Sequence, residues 1–176
     1  LISAPERKNG FTIIELLVVI SIMFLVFGVG YANYRDFQRR EYLNSAVRMV
    51  ESDLRLAQGL ALAGSKPQDT GNPCLTGPLE GYLFWRRFAY DPAIPQLATY
   101  EIYALCPDFA NREIVKGPIT LPDRISLTGL PSGNRFTFLS LARGTDQSAN
   151  VVLNFSYVGS GLPNKTLTIY PSGRIE

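Results

Sequence analysis

Between Phe11 and Ala32 the chain carries a single charge, the carboxylate of Glu15, and the basic pair Arg7-Lys8 stands just before the run. These 22 residues, wound as a helix at about 1.5 Å per residue, would reach roughly 33 Å, against a bilayer hydrocarbon core of about 30 Å. The pattern predicts a membrane-spanning helix over 11–32. A carboxylate within such a span costs roughly 2.5 to 3.5 kcal/mol at mid-membrane by insertion scales, and somewhat less near an end. Glu15 therefore requires a partner or a purpose.

The order of parts differs from that of a secretory signal peptide, in which a small-residue cleavage site follows the apolar segment. Here Gly10 lies between the basic leader and the apolar run, so a cut after it would leave the whole apolar segment on the mature chain. The string Lys8-Asn9-Gly10-Phe11-Thr12-Ile13-Ile14-Glu15-Leu16-Leu17-Val18-Val19-Ile20 closely resembles the leader junction of type IV pilins and pseudopilins. The resemblance implies cleavage by prepilin peptidase between Gly10 and Phe11, N-methylation of Phe11, and an assembly role for Glu15 as the fifth mature residue. In that family the carboxylate is thought to meet the N-terminal amine, here that of Phe11, on a neighbouring subunit. A buried charge persists when an opposite charge lies within a few ångströms. The alternative is a glutamate that snorkels to the interface from one turn inside the helix.

The 176 residues divide on this basis into a leader at 1–10, a span at 11–32, an amphipathic continuation at 33–63 and one β-rich domain at 64–176, within the usual size range for a single domain. The formal charge of +2 falls to +1 when Glu6, Arg7 and Lys8 are removed with the leader, so net charge implies no strong attraction to nucleic acid or to a membrane surface. Arg35, Arg39 and Arg40 flank the far end of the span as Arg7 and Lys8 flank the near end, and charge alone leaves the orientation open. The resemblance to pilins implies a cytoplasmic leader and a C-terminal domain outside the bacterial inner membrane. Cys74 and Cys106 are the only cysteines and lack C-x-x-C spacing. In an oxidising compartment they are expected to form a disulfide, two buried thiols being the alternative.

The helical pattern continues past the span to a stop signal at Gly64-Ser65-Lys66-Pro67. Leu43, Val47, Val50, Leu54, Ala57 and Ala61 share one face, with Arg48, Glu51, Asp53, Arg55 and Gln58 assigned largely to the others. Gly28 and Gly30 weaken the span locally, either to permit stretching on assembly or to let neighbouring helices pack closely. Beyond Gly64, turn residues separate short alternating runs at 81–90, 98–106, 114–121, 124–130, 134–141, 150–157 and 165–170. The expected fold is α+β: a long N-terminal helix, transmembrane then amphipathic, followed by antiparallel sheets of about seven strands.

Val50-Glu51-Ser52-Asp53-Leu54-Arg55-Leu56-Ala57-Gln58-Gly59-Leu60-Ala61 and the closing Leu167-Thr168-Ile169-Tyr170-Pro171-Ser172-Gly173-Arg174-Ile175-Glu176 are similar to H-type pseudopilins of type II secretion and T-type fimbrial minor pilins. Some T-type members bind DNA through arginines around that ending, where a second basic residue follows the first. Here Ile175 and Glu176 follow Arg174, so nucleic acid is not expected as a partner. The rival reading is a patch in which Arg174, Arg135 and Arg143 join Arg86, Arg87 and Arg124 beside Trp85, with steeply salt-dependent binding.

Catalysis is not expected, and no cofactor or metal is implied. The chain has no histidine, which removes Ser-His-Asp and Cys-His systems and imidazole zinc sites. An enzyme would need carboxylates such as Glu101, Asp108 and Glu113, whose spacing shows no convergence, and Gly159-x-Gly161 reads as an isolated turn. The expected function is that of a non-catalytic minor pilin or pseudopilin subunit. Its expected partners are prepilin peptidase, other subunits and the membrane, with a secreted cargo as a further candidate. The alternatives are a DNA-binding minor pilin and an uncleaved, signal-anchored binding domain.

Overall fold

The computed structural model describes residues 12–68, 74–75, 77–91, 93, 97–106 and 110–176, apart from the side chains of residues 29, 30, 32 and 33. The leader, Gly10, Phe11 and Asp108 lie outside the described residues. One helix, α1 (Ile13–Ala63), precedes seven strands: β1 (Gly81–Phe88), β2 (Thr99–Leu105), β3 (Arg112–Thr120), β4 (Ile125–Thr128), β5 (Arg135–Leu139), β6 (Val151–Tyr157) and β7 (Lys165–Ile169). The chain forms two compact units that divide between Arg39 and Arg40, so the second half of α1 counts with the sheets.

The strands pair antiparallel in two sheets, one ordered β3-β2-β1-β5 and the other β4-β6-β7. Local hairpin pairing accounts for β1 with β2, β2 with β3, and β6 with β7. The pairing of β1 with β5, which sets Phe84 opposite Phe136, 52 positions on, partitions the strands four and three. In the larger sheet, even-numbered residues of β1, β2 and β5 turn inward, where the Phe84 ring stacks on Tyr100 at 5.0 Å and tilts against Phe136 at 5.6 Å. Phe155, Leu153, Leu127 and Ile169 of the smaller sheet complete the same core.

The second half of α1 supplies Leu43, Ala46, Val50, Leu54, Ala57 and Ala61 to this core. The expected stripe is recovered with two changes. Ala46 is fully buried where Val47 is only partly so, because the stripe follows the 3.6-residue turn. Asp53 and Gln58, expected on the solvated faces, turn toward the domain, and Asp53 is 3% exposed. Each fully buried leucine here contributes roughly 1.5 to 3 kcal/mol, and the three alanines of the stripe leave room for the ring layer of the larger sheet.

The helix stops where the sequence predicts. Gly64 takes φ +60°, its N–H donates to the Ala61 carbonyl at 3.1 Å, and Ser65 N–H reaches back to Leu60 at 3.1 Å. These are the two bonds of a Schellman motif, in which glycine bears the left-handed conformation at least cost. The turn after β5 braces this end: Leu141 N–H donates to the Ala61 carbonyl at 3.0 Å. Leu141 and Ala142 are themselves held at φ +57° and +60°, a conformation costly for both residue types. Gly144, at φ +81°, lies against the C-terminal turn, where an added Cβ would meet the Pro171 carbonyl oxygen at 2.2 Å.

Cys74 and Cys106 are joined by a disulfide and both are fully buried. The bridge ties the segment after α1 to the end of β2. Closing a loop of this size restricts the unfolded chain by about 3 to 4 kcal/mol in the chain-entropy account.

Candidate functional site

From Ile13 to Gly28 the helix of the first unit exposes apolar side chains on every face, with Glu15 and Ser21 as the polar exceptions. Ile13 is 85% exposed, Phe24 75% and Phe27 72%, and Leu16, Leu17, Ile20, Met23 and Val26 are exposed between them. A helix hydrophobic all round is stable only when lipid or other helices cover it. Among the described residues, no helical stretch is long and apolar enough to cross a membrane. The continuously described side chains from Ile13 to Gly28 number 16, which rise about 24 Å and fall short of a core of about 30 Å. Phe11, Val29, Gly30 and Ala32, which complete the expected span, lie outside the described residues or have undescribed side chains.

Glu15 has a local partner that the sequence reading did not assign. Thr12 is the N-cap residue, and its backbone N–H and hydroxyl both donate to Glu15 Oε2, at 3.5 and 3.4 Å. Glu15 N–H donates in return to Thr12 Oγ1 at 3.3 Å. This reciprocal arrangement is a capping box, and Thr-x-x-Glu before an apolar run is its sequence signature. The carboxylate also sits in the first helical turn, where the helix dipole favours negative charge. Further along the helix, Ser21 Oγ donates to the Leu17 carbonyl at 2.8 Å, which satisfies a hydroxyl that apolar surroundings would otherwise strand.

In the second unit the chemistry centres on Asp53. The Tyr100 hydroxyl donates to Asp53 Oδ2 at 2.8 Å, and Lys116 Nζ donates to Oδ1. Lys116 is opposite Ile102 on β3, which puts it on the inner face with Tyr100. One carboxylate thus pins the helix to two strands. Burial is the main cause that pushes the Tyr100 phenol above its ordinary value, with the hydrogen bond to Asp53 and its charge adding to it. Gln58 donates to the Gly173 carbonyl at 3.0 Å, a second polar tie between helix and domain.

The outer face of the larger sheet carries Trp85 with cations around it. The guanidinium of Arg87 lies 4.5 Å and that of Arg112 5.5 Å from the Trp85 ring centre, and Arg112 also reaches the Tyr103 ring at 5.4 Å. Glu101 accepts from the Tyr103 hydroxyl and pairs with Arg87 Nε at 3.5 Å. Arg112 is not evident from the sequence, because β3 begins two residues before the expected strand. Glu113 is opposite Ala104, so it lies on the other side of the sheet from Glu101. Among the described residues, no group of three or more potential metal-binding side chains occurs.

Of the arginines that the rival reading gathers into a nucleic-acid patch, Arg87 and Arg135 lie on the Trp85 face, whereas Arg174, Arg143 and Arg86 are held in separate intramolecular contacts. Arg174 pairs with Glu176 at 3.2 Å and lies 4.3 Å from the Tyr170 ring centre, while the Tyr170 hydroxyl donates to Glu176 at 2.8 Å. Arg143 donates to the Ser140 carbonyl at 3.0 Å and the Glu80 carbonyl at 3.3 Å, which ties the turn after β5 to the entry of β1. Arg86 donates to the Leu127 carbonyl and to Asn134 Oδ1, and burial pulls its pKa down. Arg135 is opposite Trp85 on the outer face.

The geometry defines a β-rich domain built on the second half of a helix whose beginning is apolar but for Glu15 and Ser21, capped, and in need of cover. Residues 6–31 match the prokaryotic N-terminal methylation motif. That match supports a type IV pilin-like chain that prepilin peptidase processes, and it is consistent with membrane anchoring. No curated protein and no solved structure is detectably similar to the chain.

Proposed function

We propose that this chain is a non-catalytic minor pilin or pseudopilin subunit of a type II secretion pseudopilus or a type IV pilus. The carrying observation is the exposed, largely apolar beginning of α1 with its capped Glu15, inside the segment that matches the methylation motif. In this reading prepilin peptidase cuts between Gly10 and Phe11 and methylates Phe11. The apolar helix then resides in the inner membrane until it joins other subunits in the filament core, with its domain on the outer side. The disulfide fits an oxidising compartment there. Glu15 would exchange its bonds to Thr12 for the amine of a neighbouring Phe11, a stronger, charge-assisted partner. The two-sheet domain, held by Asp53 and Gln58, would be the exposed part that meets other minor subunits or a secreted cargo.

The test is intact mass and N-terminal sequencing after coexpression with a prepilin peptidase, for the native chain and for Gly10→Val. The expected result is a mature chain that starts at methylated Phe11 and is lost in the variant. An uncut native chain would refute this function and leave a signal-anchored binding domain.

A further inference from the structure

Between residues 40–44 of α1 and the loop that joins β6 to β7 lies a concavity of about 290 Å³, lined by Arg40, Leu43, Asn44, Leu162, Pro163 and Lys165. We propose that it binds the phosphate headgroup of an anionic phospholipid. The proposal rests on the membrane-anchored reading above.

Three observations carry it. The first is charge: Arg40 and Lys165 bring two cations to the rim, and Asn44 adds an amide donor. Among the described residues, neither cationic side chain forms an ion pair or hydrogen bond, whereas Arg39 and Arg55 on the same helix are each held by a carboxylate. Guanidinium and ammonium groups that share no carboxylate are available to an external anion, and charge-assisted bonds to phosphate are the strong ones. The second is the apolar lining. Leu43 is buried, Leu162 is half-buried, and Pro163 completes the surface. A free inorganic anion has no use for such a surface, whereas a lipid presents glycerol and the first acyl carbons beside its phosphate. The third is sequence position. Arg40 follows Ala32, the end of the expected span, by eight residues, near enough for a long basic side chain to reach the lipid headgroups.

The consequence is a domain that grips the membrane surface at a specific site. The grip uses a helix residue and the first residue of β7, 125 positions apart, so it forms only when the domain is folded.

The test uses the full chain in nanodiscs of phosphatidylcholine alone or with phosphatidylglycerol, followed by native mass spectrometry that counts the lipids retained per chain. The expected result is selective retention of phosphatidylglycerol. Arg40→Gln/Lys165→Gln should reduce it about tenfold or more, while Arg48→Gln/Arg124→Gln, which removes two cations outside the concavity, should leave it unchanged. Equal retention by the native chain and the pocket variant would overturn the proposal, as would equal loss in both double variants. Inorganic phosphate that binds in phosphatidylcholine discs as tightly as phosphatidylglycerol would also overturn it, by making the occupant a free anion. A chain that enters discs without selecting phosphatidylglycerol refutes the lipid site alone. One that enters no disc refutes the membrane anchor and this site with it.

Discussion

Replacing Asp53 by alanine tests how the helix is attached to the sheets. The Tyr100 hydroxyl is fully buried, and without Asp53 Oδ2 it loses its acceptor, which costs about 1 to 3 kcal/mol. The Lys116 side chain is 45% exposed and can turn to water, so the ion pair itself adds less than about 1 kcal/mol. Alanine returns about 0.5 kcal/mol through its better helix propensity. The net expectation is a loss of about 2 kcal/mol, with Asp53→Asn losing about half as much because its carbonyl still accepts from Tyr100. Urea unfolding of the full chain in detergent, followed by the fluorescence of the only tryptophan, Trp85, measures both. In a Tyr100→Phe background the same Asp53→Ala change should cost less than about 1 kcal/mol, since the orphaned hydroxyl is gone. A loss below about 0.5 kcal/mol in the native background, or the same loss in both backgrounds, would refute the assignment of Asp53 as the polar pin.

Burial raises the phenol pKa of Tyr82, Tyr100 and Tyr103, so the folded chain holds these protons when the unfolded chain releases them near pH 10. Stability should be complete below about pH 10 and fall above it, with Tyr100, the most strongly shifted, contributing up to about 1.4 kcal/mol per pH unit. Tyr100→Phe should remove one proton from that slope, read from urea midpoints across pH. Cys74→Ser/Cys106→Ser should lower stability by about 3 to 4 kcal/mol, and intact mass should rise on alkylation only after reduction. Ala142→Gly should raise stability by about 0.5 to 1 kcal/mol, since glycine takes the φ of +60° that strains alanine, and a lower urea midpoint would contradict this.

All seven strands are legible in the sequence because each alternates over five or more residues or is bounded by turn residues, and the ends differ by only a few positions. The end of α1 is legible for the same reason, as a glycine followed by Ser-Lys-Pro is a local signal. What cannot be read is non-local. The separation into two sheets depends on β5 joining β1, and the burial of Asp53 depends on Tyr100 and Lys116, 47 and 63 residues away. A single aspartate beside an apolar stripe looks like the start of the solvated face until its partners are in place. The arginines show the same limit: spacing places several near Trp85, but Arg86, Arg143 and Arg174 are each engaged elsewhere. Thr12 and Glu15 show the reverse. Their capping signature is readable three residues apart, yet the length of the uncharged run around Glu15 masks it.

The tie between Gln58 and Gly173 carries a consequence in time. The two residues are 115 positions apart, an interval that a ribosome covers in about 6 to 23 s. Thr168 meanwhile waits for Glu176, with which it exchanges both backbone bonds. The helix emerges first and its apolar stripe stays uncovered until nearly the whole sheet region has been delivered. The domain cannot be completed in vectorial order from its beginning. A companion that shields residues 43–61 during this interval should therefore raise the yield of folded chain.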